Sequence, residues 1–356
     1  NKCLTDADEG VRKEAADALD ALTKFLEEEQ QKLLQLAKNY EIALKYEDAA
    51  KIYEELEMWE EAGRVRKLAL ILKESTQIKK PEILAKSRDT LESLYTLIRK
   101  LGSGGYATVY LACRKSDNFM VALKIPIESA GFETISEETE KLFRKELSIW
   151  ERLDHPHIVK LYEYGIKPHP WFAMEWMKGG TLREKIGKLD LKECWRIIDG
   201  ITDAIFYAHQ QGIVHKDIKP ENIMFTEHNI PKLGDWGIAR FLSAVSKSSA
   251  SRFTLDYASP EQISPKKFGN IGCWTDIFQM GAVIYEILTG VHPFRGDDPA
   301  ETVNNILNLQ PEPLTKLRPD LPGELNGVIL KALKKNPRER YGSIFEFKKE
   351  LERVLR

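Results

Sequence analysis

His215-Lys216-Asp217-Ile218-Lys219-Pro220-Glu221-Asn222, followed by Asp235-Trp236-Gly237, brings the carboxylates of Asp217 and Asp235, the carboxamide of Asn222 and the amine of Lys219 into one short span. Their types and order suit chemistry on a nucleoside triphosphate. Such a nucleotide carries magnesium, which takes hard oxygen ligands of the kind that Asn222 and Asp235 supply. Asp217 is then free to orient an attacking hydroxyl, and Lys219 can offset charge building on a transferred phosphoryl group. Singly, an Asp-Trp-Gly reads as a turn and a His-Lys-Asp as a loop. Together, in this order, they are far more specific.

Upstream, Leu101-Gly102-Ser103-Gly104-Gly105-Tyr106-Ala107-Thr108-Val109 is flanked by apolar residues and reads as strand, turn, strand. Glycines there let backbone N–H groups approach phosphates without a side chain in the way. An ordinary hairpin fits the same residues. No helix follows the glycines, which argues against a dinucleotide-binding turn. In Met120-Val121-Ala122-Leu123-Lys124-Ile125, strand alternation puts Val121, Leu123 and Ile125 on one face and Ala122 and Lys124 on the other. A small residue beside a lysine suits a cleft for a flat base and a phosphate chain. Thr134-Ile135-Ser136-Glu137 is a capping-box pattern and predicts a helix start. Leu142, Glu146, Ile149 and Leu153 then fall at helical spacing. A carboxylate on that stripe needs a partner, and Lys124 is the expected one. Alternatively, Glu146 lies at the stripe's edge and reaches water.

These motifs resemble the catalytic and metal-binding loops of eukaryotic-type protein kinases, over about Tyr95 to Arg356. The family pattern is His-Arg-Asp and Asp-Phe-Gly, so Lys216 and Trp236 are departures; neither removes a group that acts on ATP. Ala107 replaces the third glycine of the family loop. The resemblance implies that Asp217 is the catalytic base and that Asn222 and Asp235 hold magnesium. It makes Lys124 the strand lysine on the α- and β-phosphates of ATP, paired with Glu146, and Lys219 the lysine typical of serine/threonine kinases. Trp171 to Gly180 resembles the link between the lobes: Met174 would back the adenine pocket, backbone groups of Glu175 and Met177 would meet the adenine edge, and Met224 would form the floor. Together with Leu101 to Ala107, Val109 and Ala122, these residues make up the expected ATP site.

Asp235 to Ser259-Pro260-Glu261 resembles an activation segment. Its small, polar middle, Ser243 to Ser251, is expected to be mobile. Thr254 matches the threonine that bonds near the catalytic aspartate, with Phe253 where the family usually has glycine. Ser249 and Ser251 are candidates for regulatory phosphorylation, although serine-rich loops are common and mostly unmodified. Asp276 resembles the aspartate that braces the catalytic loop, and Arg340 the arginine that pairs with Glu261. Lys219-Pro220, Thr254 and Ser259-Pro260-Glu261 favour a protein substrate over a small molecule.

The chain has 356 residues, 42% of them apolar, with a net charge of −2 and a pI near 6.5. No basic field calls for nucleic acid or an anionic membrane. Cys3, Cys113, Cys194 and Cys273 have no paired spacing, which fits a reducing, cytoplasmic compartment. No apolar run reaches membrane-spanning length. Before residue 95 there are two glycines, Gly10 and Gly63, and one proline, Pro81, out of 22 and 16 in the whole chain. That segment is therefore expected to be nearly all helix. Tyr46-Glu47-Asp48-Ala49 and Trp59-Glu60-Glu61-Ala62 repeat one theme: an aromatic, two acids at a helix start, and an alanine for close packing. They resemble tetratricopeptide-type repeats, and Leu4 to Ala16 resembles half a HEAT repeat. A plain helical bundle is the simpler alternative. A chain without an initial methionine that opens within such a segment is expected to be a piece of a longer protein.

The expectation is an α+β bilobal kinase fold at 95–356, with a strand-rich small lobe at about 95–174 and a helical large lobe at about 178–356. An all-α segment at 1–94, able to bind a protein partner, precedes it. The implied activity is ATP- and magnesium-dependent phosphorylation of protein serine and threonine. A pseudokinase scaffold without catalysis is the alternative.

Overall fold

The computed structural model describes residues 30–31, 33–34, 37–38, 46–66, 91–103, 107–126, 137–166, 170–237 and 255–356. The chain divides into two compact units, Asn1–Lys79 and Lys80–Arg356.

In the first unit, helix α1 spans Tyr46–Glu55 and residues 59–66 are helical. The turn between them is tight because Glu57 takes a left-handed φ of 58°. The Met58 N–H then reaches back to the Tyr53 carbonyl at 2.8 Å, closing the helix end. Ala49, Ala50 and Ala62 are buried with Ile52, Tyr53 and Val65. Alanines at these positions let two backbones come close, as their spacing predicts. The helix expected between Val11 and Phe25, and the stretch likened to a HEAT repeat, lie outside the described residues.

The second unit begins with α2 (Leu91–Leu94), β1 (Tyr95–Ser103), β2 (Ala107–Arg114), β3 (Phe119–Pro126), α3 (Glu137–Glu151), β4 (Leu161–Gly165) and β5 (Trp171–Met174). The strands form one antiparallel sheet in the order β1-β2-β3-β5-β4. Leu91 and Leu94 of α2 pack on the outer apolar cluster of this sheet, with Tyr95 and Trp171. This short helix therefore goes with the sheet, and the unit boundary falls earlier than the composition break near residue 95. Alternation in β3 sorts its residues between two cores. Val121, Leu123 and Ile125 join the outer cluster, while Ala122 joins the main one. Lys124 follows Ala122 on the inner face.

Helix α3 buries Phe143, Leu147 and Trp150 completely and Glu146 to 6% exposure. Leu142 and Ile149 are only partly buried. The buried stripe is thus rotated by one residue from the spacing of Leu142 and Ile149, and Glu146 lies inside it.

The remainder is mostly helical: α4 (Leu191–Gln210), the hairpin β6 (Ile223–Phe225) and β7 (Pro231–Leu233), α5 (Pro260–Ile263), α6 (Pro265–Phe268), α7 (Cys273–Thr289), α8 (Pro299–Asn308), α9 (Leu314–Leu317), α10 (Glu324–Ala332) and α11 (Ile344–Leu355). Asp190 starts α4 with a capping box closed by Glu193. Helix α7 is buried along its whole length from Thr275 to Leu288, which marks it as the interior helix of this lobe. Its buried polar residues, Asp276, Gln279 and Glu286, must each find partners. Below it, Arg340 makes two 2.9 Å bonds to Glu261, with both side chains fully buried. Among the described residues, no helix is long and apolar enough to cross a membrane.

Candidate active site

Two short loops of the helical lobe meet the inner face of the sheet. The first runs from His215 to Asn222, ahead of β6; the second begins at Gly234, just after β7. Antiparallel pairing of these strands (Ile223 with Leu233) brings the loops side by side. The Gly234 N–H donates to the Asn222 carbonyl at 2.8 Å. A Cβ on Gly234 would lie 2.5 Å from Met224 Cε, so a side chain there would displace the end of Met224.

The first loop hangs from α7. Asp276, fully buried, accepts from the N–H groups of His215 and Lys216, both at 2.8 Å. His209 Nε2 is 2.7 Å from the same carboxylate. His215 Nε2 donates to the Gly234 carbonyl at 2.8 Å, while its Nδ1 accepts from the Asp217 N–H at 3.2 Å. That fixes one neutral tautomer. Burial, the main cause, holds the imidazole pKa below its ordinary value. Lys216 (φ 70°) and Asp235 (φ 60°) both sit in the left-handed region. For such residues this costs about 1 kcal/mol or more, and it persists where the surroundings dictate it.

The reacting groups converge. Lys219 Nζ lies 2.8 and 3.1 Å from the two Asp217 oxygens. Asn222 Nδ2 donates to the Asp217 carbonyl at 2.8 Å and to its carboxylate at 3.0 Å. From the sheet, Lys124 Nζ reaches Asp235 Oδ2 at 2.6 Å. Burial opposes the charge on Asp235, but Lys124 and then Lys219 outweigh it and lower the pKa. Burial likewise works against the Lys219 ammonium, and the carboxylates of Asp217, Asp235 and Glu221 outweigh it and raise the pKa. Lys124 with Asp235, and Lys219 with Asp217 and Asn222, are thus two bonded groups on neighbouring loops, and the charges of Lys219 and Asp235 act on one another.

Helical spacing predicts that Lys124 pairs with Glu146; in the structure Lys124 pairs with Asp235. Asp235 follows a buried strand, and its charge needs a cation beside it. Glu146 is close by: a Cβ on Gly237, where φ is 73°, would lie 2.9 Å from Glu146 Oε2.

Leu101, Val109, Met177 and Met224 pack against the main core cluster, which contains Ala122 and Met174. Met174 is cross-strand from both Ala122 and Leu161. The Glu175 N–H is already used by the Lys160 carbonyl at 2.9 Å, and its carboxylate takes Lys232 Nζ at 2.8 Å. Of its main-chain groups, only the carbonyl remains for a base edge. Gly102 and Ser103 end β1, and Ala107 begins β2 in register with Pro126. Gly104, Gly105, Tyr106, Ser249, Ser251 and Thr254 lie outside the described residues.

Among the described residues, no group of three or more His, Cys, Asp and Glu side chains could hold a metal by itself. Magnesium carried by a nucleotide needs only one or two protein ligands. Asp235 Oδ1 is buried and has no hydrogen-bond partner. The Asn222 amide nitrogen is committed to Asp217, which leaves its oxygen as the donor to a cation. These residues fit such an ion.

Sequence reasoning gave no role to Gln262 or Gln279, yet both bond to the Lys216 carbonyl. The legible signals were a Ser-x-x-Gln capping pattern at Ser259 and a polar residue one turn after Asp276 in an apolar helix. Lys216 was noted for its side chain, whereas its contacts here are made by its backbone. Trp236 stands where the family has phenylalanine. It is fully buried, donates Nε1 to the Leu233 carbonyl at 2.9 Å and meets His215 edge-on at 4.5 Å.

The family model described as the protein kinase domain matches residues 95–351. Serine/threonine-protein kinase PknB of Mycolicibacterium smegmatis is 35% identical over 276 residues, covering 74% of this chain and 43% of PknB. Serine/threonine-protein kinase PrkC of Bacillus subtilis is 34% identical over 258 residues, covering 69% of this chain and 38% of PrkC. The crystal structure of the Mycobacterium tuberculosis PknI kinase domain aligns with a TM-score of 0.57 at 26% identity, covering 74% of this chain and 96% of that one. The chain thus spans less than half the length of these two full-length relatives.

Proposed function

The chain belongs to the protein kinase family, and on that premise we propose that it transfers the γ-phosphoryl group of ATP to serine and threonine hydroxyls of proteins. The observation that carries this reading is the pair of neighbouring bonded groups, Lys124 with Asp235 and Lys219 with Asp217 and Asn222. It sets a base, two cations and two oxygen ligands around one point between the lobes.

Asp217 orients the incoming hydroxyl and takes its proton as the new O–P bond forms and the bond between the γ-phosphorus and the β-phosphate oxygen breaks, which releases ADP. Lys219, already held against Asp217, lies where it can offset the charge that builds on the phosphoryl oxygens. Lys124 holds the α- and β-phosphates, a position it reaches from β3 by giving up part of its contact with Asp235. Glu146, buried on α3, is the carboxylate assigned on this reading to share that ammonium when nucleotide binds. Asp235 Oδ1 and the Asn222 oxygen would hold magnesium, which would supply positive charge to offset that of the phosphates. Leu101, Val109, Ala122, Met174, Met177 and Met224 sandwich the adenine, and the backbone of Gly102 to Tyr106 covers the phosphates. Most of the catalysis on this reading is placement and electrostatics.

Lys219-Pro220 and the Ser259-Pro260-Glu261 end of the activation segment support a serine/threonine protein substrate. The names of the PknB and PrkC relatives support it too. Ser249, Ser251 and Thr254 belong to the regulatory segment on this reading. Three departures, Trp236, Lys216 and Ala107, leave room for a pseudokinase, but none removes a group assigned to ATP or the hydroxyl: Trp236 keeps its place by an added hydrogen bond, Lys216 serves through its backbone, and Ala107 begins β2. The helical pair at 46–66, packed through alanines, supports a protein-binding module of the helical-repeat kind. Free thiols at Cys113, Cys194 and Cys273 support a cytoplasmic setting.

The test is transfer of labelled γ-phosphate to protein substrate, with Asp217→Ala and Lys124→Met compared against the wild type. Both variants should lose activity. Full transfer by both would overturn the assignment.

A further inference from the structure

Asp217 is held by its neighbours. The peptide groups on either side of it are fixed by side chains from distant parts of the chain. The Lys216 N–H goes to Asp276 at 2.8 Å. The Lys216 carbonyl accepts two amide donors, Gln262 Nε2 at 2.8 Å and Gln279 Nε2 at 3.1 Å. The Ile218 N–H donates to Gln279 Oε1 at 2.9 Å. Gln279 Nε2 also bonds Gln262 Oε1 at 3.0 Å, so the two amides are joined.

We propose that Gln262 and Gln279 are positioning residues that set the aim of Asp217 and couple it to the end of the activation segment. This rests on the kinase reading above. Three observations support it. Lys216 is a non-glycine residue at φ 70°, a conformation kept only where the surroundings over-determine it; both lone pairs of its carbonyl are engaged here. Gln279 is 2% exposed on the most buried helix of the lobe. A buried amide is costly unless satisfied, and this one has both ends bonded to the catalytic loop. Gln262 has a second duty: its Oε1 accepts the Ser259 N–H at 2.9 Å and so caps helix α5. One side chain thus reads the position of Ser259–Ile263 and writes it onto the residue before the base. A shift of α5 moves a donor off the Lys216 carbonyl. Neither glutamine touches the nucleotide pair Lys124 and Asp235.

Three variants separate positioning from plain stability. Gln262→Glu keeps the acceptor that caps α5 but loses the donor to Lys216. Gln262→Met loses both. Gln279→Met frees the Ile218 N–H and removes one of the two donors to the Lys216 carbonyl. We expect kcat to fall by about tenfold to a hundredfold in all three, as a small misplacement of a reacting group does. The KM for ATP should stay within about twofold of wild type, because the phosphate and magnesium ligands are untouched. The thermal midpoint of Gln262→Glu should stay close to wild type. The double Met variant should lose less than the product of the two single losses, since the groups act as a unit. Amide exchange at Ile218, followed by NMR, should rise in Gln279→Met whether or not phosphoryl transfer is observed. Wild-type kcat in Gln262→Glu, or unchanged Ile218 exchange in Gln279→Met, overturns the proposal. An inactive wild type with the exchange result intact would instead count against the kinase reading alone.

Discussion

The two walls of the cleft are built by different means. On the sheet side, Lys124 is placed by strand alternation and by apolar packing on both faces: Val121 and Leu123 in one cluster, Ala122 in the other. On the helical side, Asp217 is placed by polar groups, namely the buried Asp276, His215 and Gln279 and the half-buried Gln262. Packing tolerates small changes by local adjustment. A hydrogen-bond network in a dry interior does not, because each lost partner leaves another group unsatisfied.

The largest effect should come from breaking the polar wall at its anchor. Asp276→Ala strands the N–H groups of His215 and Lys216 and removes the contact of His209. We expect a loss of about 3 kcal/mol or more in urea unfolding, together with loss of phosphoryl transfer in whatever folds. Leu123→Ala on the other wall should cost about 2–5 kcal/mol as well. Its folded fraction, however, should keep a kcat within a few-fold of wild type. Equal damage to kcat at both positions would erase the distinction between the walls.

This contrast also explains what could be read from sequence. The order of the motifs was legible, as was the alternation that aims Lys124, because both are local patterns. The buried ion pair of Arg340 and Glu261 was legible through resemblance. The Lys124–Asp235 pair was not, since a choice between two carboxylates depends on distances set by the tertiary fold. The stripe on α3 was misplaced by one residue because Leu142 and Ile149 are as apolar as their neighbours, and burial is decided by the sheet and lobe they meet. The glutamine clasp was hidden for a related reason: the capping pattern at Ser259 and the polar residue one turn after Asp276 mark Gln262 and Gln279 as bonded, but not that their partner is the Lys216 backbone.

A middle-sized effect should appear with pH, and it comes from two histidine rings, one packed on the helical lobe and one within it. His157 Nδ1 lies 2.7 Å from the Pro231 carbonyl of β7, and its ring packs where a Cβ on Gly200 of α4 would come within 2.7 Å. His292 Nδ1 accepts from the N–H groups of Phe294 and Arg295. Burial is the main cause that pushes both down from the usual 6.5 to about 4. Around His292, Glu286 and Asp256 favour the proton while Arg295 and Arg183 oppose it; around His157, Asp199 favours it while Lys232 and Lys348 oppose it. Both rings are neutral when folded and take up a proton when unfolded below pH 6.5. Their stabilisation is therefore complete above that pH and is lost as pH falls toward 4, by up to about 1.4 kcal/mol per unit for each ring. The urea midpoint should drop between pH 7 and pH 5, and His292→Phe should make the drop shallower. A midpoint that holds steady over that range would contradict the assignment.

The smallest effect tests the part of the polar wall that a side chain does not build. Lys216 contributes its N–H and carbonyl to the bracing network, so its ammonium is dispensable for aiming Asp217. Lys216→Arg should leave basal kcat within about twofold, because the backbone bonds are unchanged. What arginine adds is a planar fork able to grip a phosphate by two parallel bonds, which lysine lacks. The wild type should accordingly depend little on phosphorylation of Ser249 or Ser251, and phosphatase treatment should cost it far less than a hundredfold. The arginine variant should show a steeper loss on the same treatment. If the wild type collapses and the arginine variant behaves no differently, the phosphate is being read by some other cation, and Lys216 matters only for its strained backbone.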